Sequence, residues 1–185
     1  MGLALFVVLV LVLFCILTYN SLTRLRLLAN NAWADIDVQL KRRHDLVPTL
    51  VSVVKGHAGY EKGTLEAVVD ARNRAMQAEG PRAAGDAEQA LAGSVRQLFA
   101  LGEAYPDLKA GESYLSLQKS LSEIEDHIQN ARRYYNAVVR DYNTGLSQFP
   151  RNLLATVLGF RPREFFGLSD DSEKATPAVD LGGRS

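Results

Sequence analysis

The sequence predicts an all-α protein: an antiparallel four-helix bundle of two long and two shorter helices plus a short C-terminal helix, carried on an N-terminal transmembrane helix. Three observations predict it. Residues Leu3 to Leu17, LALFVVLVLVLFCIL, carry no polar side chain. From Leu22 to Val54 the apolar residues recur at steps of three and four, with one gap at Arg43. From Tyr114 to Phe149 they do so again, through Leu117, Leu121, Ile124, Ile128, Ala131, Tyr135, Val138, Tyr142 and Gly145, a heptad seam of the coiled-coil kind.

With Thr18 and Tyr19, the first run approaches the roughly 20 residues that span a bilayer. Leu3, Phe6, Leu9, Leu13 and Leu17 would face lipid, and Tyr19 stands where an interfacial aromatic belongs. A cleaved signal peptide, the competing reading, wants a positive n-region, yet only Met1 and Gly2 precede the run. It also wants a small-residue cleavage site, and Ala32-Trp33-Ala34 lies far downstream inside a helical pattern. Cations follow the span, first Arg24 and Arg26, then Lys41, Arg42 and Arg43, which places the N-terminus outside and the body in the cytoplasm. An extracytoplasmic body is the alternative.

No turn separates the span from the amphipathic stretch of Leu22, Leu25, Ala29, Ala32, Ile36, Leu40, Val47, Leu50 and Val54, so both belong to one rod of about 50 residues and about 75 to 80 Å. Pro48 removes a backbone donor within it. GHAGYEKG, residues 56 to 63, reads as the first turn. A second helix is predicted over about 64 to 78, with Leu65, Val68, Val69, Arg72 and Met76 on one side. EGPRAAGD breaks it, and a third follows over about 86 to 104 with Leu91, Val95, Leu98 and Leu101 as its stripe. YPDLKAG ends that helix. The heptad helix needs a partner of matching length, and only the first qualifies. Antiparallel pairing sets Leu22 near Phe149 and Val54 near Tyr114. Arg151 to Leu158 forms a short apolar helix. The domains are thus residues 1–19, a transmembrane anchor; 20–168, the helical body; and 169–185, a disordered tail with almost nothing to bury.

NAWADIDVQLKRRHDLVPTLVSVVKGHA, EAVVDARNRA, AYPDLKAGESYLSLQKSLSEIEDHIQNARRYYNAVVRDYN and FPRNLLATVLGFRPREFF resemble successive blocks of the LemA family, in order from Asn20 to about Leu168. The resemblance implies a bacterial membrane-anchored helical bundle with no established enzymatic activity or cofactor, and distant relatives at magnetosome membranes. One departure is Gly111, where relatives often have a helix-capping asparagine.

Chemistry finds little purchase in the remaining residues. Acidic and basic side chains number 21 each and are interspersed, so nothing drives the chain toward nucleic acid. The single cysteine, Cys15, lies in the apolar run, leaving no thiol to bind zinc or act as a nucleophile in the body. No Glu-x-x-His occurs, and the lone pairs His57/Glu61 and Glu123/His127 fall short of a di-iron or zinc set, so no metal or cofactor is expected. Asp35, Asp37, Lys41, Arg42 and Asp45 read as a solvated helix face. Arg43, on the stripe itself, needs a buried carboxylate, and the antiparallel register offers Glu125 and Asp126 as a pair that locks alignment; snorkelling to water is the alternative. Tyr135-Asn136 and Tyr142-Asn143, one heptad apart, put rings on the seam with polar groups at its edge.

In the C-terminal segment Arg151, Arg161 and Arg163 would join Arg24 and Arg26 in a basic collar, while Phe160, Phe165 and Phe166 add apolar bulk against lipid or cap the core. The expected function is a non-enzymatic membrane scaffold or tether. Its partners would be the bilayer, further copies of the chain as a homo-oligomer, and other membrane proteins. An accessory subunit of a membrane protease or transporter, or a ligand sensor with a pocket between helices, are the rivals.

Overall fold

Neither glycine nor proline interrupts the chain from Leu3 to Val47, and a single helix α1 runs over Gly2–Lys55. At 1.5 Å per residue it is about 80 Å long. The computed structural model describes residues 1–57 and 61–167; the middle of the predicted turn at 58–60 and the predicted tail at 169–185 lie outside the described residues. Five further helices follow: α2 over Lys62–Gln77, α3 over Pro81–Gly102, α4 over Pro106–Lys109, α5 over Glu112–Ser147 and α6 over Arg151–Val157. The described residues are otherwise turns and loop, so the fold is all-helical.

α1 has two surfaces in series. From Leu3 to Leu17 its large apolar side chains are exposed, as in Leu3, Phe6, Leu9, Leu13 and Leu17, and this part is long and apolar enough to cross a membrane. From Leu22 onward the predicted stripe is buried: Leu22, Ala29, Ala32, Ile36, Leu40, Arg43, Val47, Leu50 and Val54, with Leu25 half-buried. α5 lies along this stripe in the opposite sense, for Leu22 touches the backbone at Gly145 while Val54 shares a core cluster with Tyr114. Phe149, predicted on the seam, is instead 80% exposed, because α5 stops at Ser147. Gly145, not Phe149, meets Leu22.

Far from the apolar run, α2, α3 and α4 close over the α1/α5 pair around Leu50, Val54, Val68, Leu91, Leu98, Leu108 and Tyr114. Here two boundaries differ from the sequence expectation. YPDLKAG is not only a break: PDLK forms α4 and buries Leu108. PRAAGD belongs to α3, which starts with Pro81 at its first turn, where a missing N–H costs nothing, after Gly80 at φ 84°. The inner face of α2 is also rotated. Leu65, Val68, Ala71 and Ala75 are buried, whereas the predicted Val69 and Met76 are 39% and 55% exposed. Small alanines let α2 approach its neighbours closely, a preference invisible to a stripe drawn through the largest side chains.

Nearer the apolar run, α2 and α3 have ended and the α1/α5 pair would lie bare on that side. Residues 160–167 cover it as an extended strap. Phe166 packs on Trp33, with ring centroids 5.9 Å apart, and Trp33 on Tyr135 at 5.7 Å. Beyond the strap, α6 closes the last cluster, in which Ala155 and Phe160 join Leu22, Tyr142 and Leu146.

Candidate functional site

Two places concentrate polar chemistry or unusual exposure: a buried ionic junction halfway along the body, and the end where α6 meets α1.

The junction is built around Arg43, which the heptad spacing of α1 carries into the core. Its side chain is 5% exposed. One guanidinium nitrogen donates to Glu88 Oε2 at 3.1 Å, and the other donates to Glu125 Oε2. Glu88, 3% exposed, holds its second oxygen 2.5 Å from His44 Nε2. Glu125 accepts from Gln129 Nε2 at 2.7 Å. Burial pushes the Arg43 pKa below its ordinary value, opposed by attraction to and hydrogen bonding with Glu88, while Arg96 nearby lowers it further. A buried cation without a carboxylate is untenable, and Arg43 has two.

α2 enters the same junction through a backbone vacancy. Pro48 has no N–H to give the carbonyl of His44 one turn earlier, and Arg72 Nε donates to that carbonyl at 2.7 Å instead. Residues of α1, α2, α3 and α5 therefore meet at Arg43 and His44. Glu125 stands where the antiparallel register sets it. Asp126 does not take part: it is exposed, one residue and about 100° further round α5. Glu88 is the residue that sequence reasoning missed. The stripe of α3 continued backwards from Leu91 reaches Glu88 and Ala84 at the same steps of three and four, and that extension would have found it.

Between α3 and α5 a groove of about 290 Å³ opens above Arg43, lined also by Arg96, Phe99, Gln118, Leu121 and Glu125. Among the described residues no group of three or more His, Cys, Asp or Glu side chains could hold a metal ion. Asp35, Asp37, Lys41, Arg42 and Asp45 are exposed on the outer face of α1.

The strap explains the repeated Tyr-Asn pairs. Asn143 grips Arg163 through two hydrogen bonds of 2.9 Å, its Nδ2 donating to the carbonyl and its Oδ1 accepting from the amide. One heptad earlier, Asn136 does the same to Phe166, at 3.3 and 2.9 Å. Tyr135 donates its hydroxyl to the Glu164 carbonyl at 2.9 Å, and Arg132 reaches the Gly167 carbonyl at 3.1 Å. An asparagine amide matches a peptide group donor for acceptor, so the two side chains pair with an extended backbone as a neighbouring strand would. Gly167, at φ 60°, lies so close to α3 that a Cβ on Gly85 would stand 2.2 Å from its nitrogen.

This arrangement alters the expected membrane collar. Phe160 is 8% exposed, edge-on to Tyr19 at 5.9 Å and beneath the Arg26 guanidinium at 5.2 Å. Phe166 is 3% exposed beside Trp33, about 21 Å along α1 from Tyr19, and Phe165 is half-buried in the same cluster. Arg163 donates to Asn30, also well up the body. Phe160 and Phe166 thus turn into the body's own core, and Phe165 and Arg163 are half-buried along it. Arg24, Arg26 and Arg161 remain exposed and Arg151 is half-buried. The outward apolar residues at this end are Phe149, Leu153, Val157 and Leu158.

The profile of the LemA family matches residues 32–181 of this chain. Among curated relatives, magnetosome protein MamQ 2 of Paramagnetospirillum magneticum is 26% identical over 159 residues, covering 72% of this chain and 58% of its own length. Magnetosome protein MamQ of Magnetospirillum gryphiswaldense is 25% identical over 177 residues, covering 82% and 65%. Protein LemA of Metamycoplasma hominis is 26% identical over 140 residues, covering 75% and 64%. The chain thus spans less than two thirds of the length of each of these relatives.

Proposed function

The chain belongs to the LemA family, and from that premise we propose that it is a membrane-anchored, non-enzymatic scaffold or tether whose antiparallel helical bundle organises a membrane surface. The observation that carries this reading is the continuity of α1. One helix supplies both an exposed apolar run of membrane-spanning length and the spine of the body, so no hinge within α1 separates anchor from cargo-bearing surface. A rigid stalk fixed in the bilayer holds its charged flanks at set heights, and many such stalks crowded on one plane meet through those flanks. The positive residues after the span favour the cytoplasmic side of a bacterial inner membrane. That MamQ is a magnetosome protein supports this reading.

Proximity labelling from the full-length chain in native membranes, with cross-linking of the same cells, tests the proposal. It expects a reproducible set of membrane neighbours that includes further copies of the chain. A strictly monomeric protein with no enriched neighbour would sink it, and stoichiometric recovery of one protease or transporter would favour the accessory-subunit reading instead.

The groove above Arg43 favours a second reading, a ligand sensor. Its volume of about 290 Å³ sits at the lower edge of the roughly 300 to 1,000 Å³ typical of small-molecule pockets. Native mass spectrometry of the intact protein is expected to show the bare chain under the scaffold reading; a co-purifying small molecule lost on Arg96→Ala would favour the sensor.

A further inference from the structure

We propose that α6 is a second membrane-contacting element, which lays Phe149, Leu153 and Val157 into the acyl region of the leaflet from which α1 emerges; this rests on the anchor reading above. The geometry that points there is depth. α5 ends at Ser147, and its last turn packs on Leu22. Yet the covering of α1 does not stop at Leu22. Thr18 is 3% exposed, and Phe14 and Cys15 are half-buried, although Leu13, Ile16 and Leu17 beside them are 55%, 51% and 59% exposed. At this end α6 contacts α1, and Phe160, three residues after α6, packs edge-on to Tyr19. Phe14 lies two turns, about 12 Å, nearer the N-terminus than Leu22. α6 is therefore seated beside the last turns of the apolar run, not above them.

What α6 turns outward at that depth is apolar. Phe149, Leu153 and Val157 are 80%, 61% and 83% exposed, and Leu153 and Val157, four residues apart, share one face. No acidic residue occurs from Leu146 to Arg163. Arg151 and Arg161 flank the helix, and Arg24 and Arg26 stand just above it on α1, the order of charge and apolar surface that an interfacial helix requires. In water this patch would be a liability; continuous with the lipid-facing surface of α1, it has a solvent. The occupant is thus the bilayer that α1 already enters. A second copy of the chain would leave the absence of acidic groups and the arginine flanks unexplained.

The test uses the full-length protein with Cys15→Ser and a single cysteine introduced as Leu9→Cys, Val157→Cys or Lys62→Cys, each labelled with an environment-sensitive fluorophore. The proteins are reconstituted in vesicles of phosphatidylcholine and phosphatidylglycerol with brominated acyl chains. Bromine is expected to quench the probes at 9 and 157 by about half or more and to leave the probe at 62 unchanged. Quenching at 9 without quenching at 157 overturns the proposal while the anchor stands. No quenching at 9 means that the anchor reading has failed, and the proposal falls with it. A probe at 157 shielded from aqueous iodide yet insensitive to bromine means a protein partner covers α6, which also overturns the proposal.

Discussion

Arg43 and Glu88 are the residues whose removal the body should tolerate least. Breaking a buried ion pair from one side strands the other charge, at a cost of about 3 to 5 kcal/mol. Glu88→Gln should therefore lower unfolding stability by several kcal/mol. Glu125→Gln, at a carboxylate whose own side chain is 38% exposed, should cost about 1 kcal/mol or less. Denaturant unfolding of the two variants in detergent, followed by circular dichroism, checks the order; equal losses would refute a junction centred on Glu88. Pro48 and Arg72 offer a cleaner test. Since Arg72 fills the vacancy left by the proline, Arg72→Ala should destabilise by about 1 to 3 kcal/mol in the native sequence and by much less once Pro48→Ala restores the helical N–H. A double-mutant cycle with no coupling would contradict that account. At this scale the sequence discloses Arg43 through spacing alone, since a charge on an apolar stripe demands explanation. Glu88 sits on a stripe too, but AEQALAG offers so few large side chains that the periodicity is hard to see. The role of Arg72 depends on a carbonyl in another helix, which no local pattern contains.

Among the elements, the strap carries the most testable chemistry. Asn136→Ala or Asn143→Ala removes two hydrogen bonds to the backbone of residues 163 and 166, about 1 kcal/mol each. Either change should free the segment, and trypsin should then cut after Arg163 faster than in the native protein while the helices stay intact; the bond after Arg161 is protected by Pro162. Gly85→Ala should do the same by collision, since its Cβ has no room against the backbone of Gly167. Unchanged cleavage in all three would mean the clamp does not hold the strap. The three seam tyrosines add a pH dependence. Burial raises the pKa of Tyr114, Tyr135 and Tyr142 above their ordinary 10.0, more than the Arg163 guanidinium lowers it at Tyr135 and Tyr142. A raised folded-state value means the unfolded chain releases its protons first. The stabilisation is complete below pH 10 and falls as pH rises beyond it. Denaturation midpoints across pH 8 to about 11 should drop more steeply for the native protein than for Tyr142→Phe; parallel curves would count against buried, neutral hydroxyls. The long helices are legible in the sequence because period 3.6 accumulates over many turns. The strap is not, because an extended segment recognised through its backbone leaves no periodic trace. The asparagines one heptad apart are its only advance notice.

At the scale of the molecule, one long helix sets the frame and every later element finds its place along it. The far half is closed by α2, α3 and α4, the near half by the strap, and the end beside the apolar run by α6. That order converts a linear sequence into a gradient of surfaces, charged at the flanks of the body and apolar at its base. The scaffold reading depends on it, for a tether works only if its base and its presenting surfaces are held a fixed distance apart. The pairing of α1 with α5, and with it the return of the chain to the apolar run, can be inferred from matched seam lengths, whereas the release of Phe149 cannot, because it looks like one more heptad position although α5 ends at Ser147.

The most direct test is a pair of spin-label distances in the full-length protein in lipid nanodiscs, with Cys15 replaced by serine. Labels at Asn20 and Ser147 should lie roughly 10 to 20 Å apart, as the interaxial spacing of packed helices demands. Labels at Lys55 and Ser147 should lie about 50 Å apart, the rise of α1 between those levels. A long first distance with a short second one would place the end of α5 away from the membrane and contradict the account.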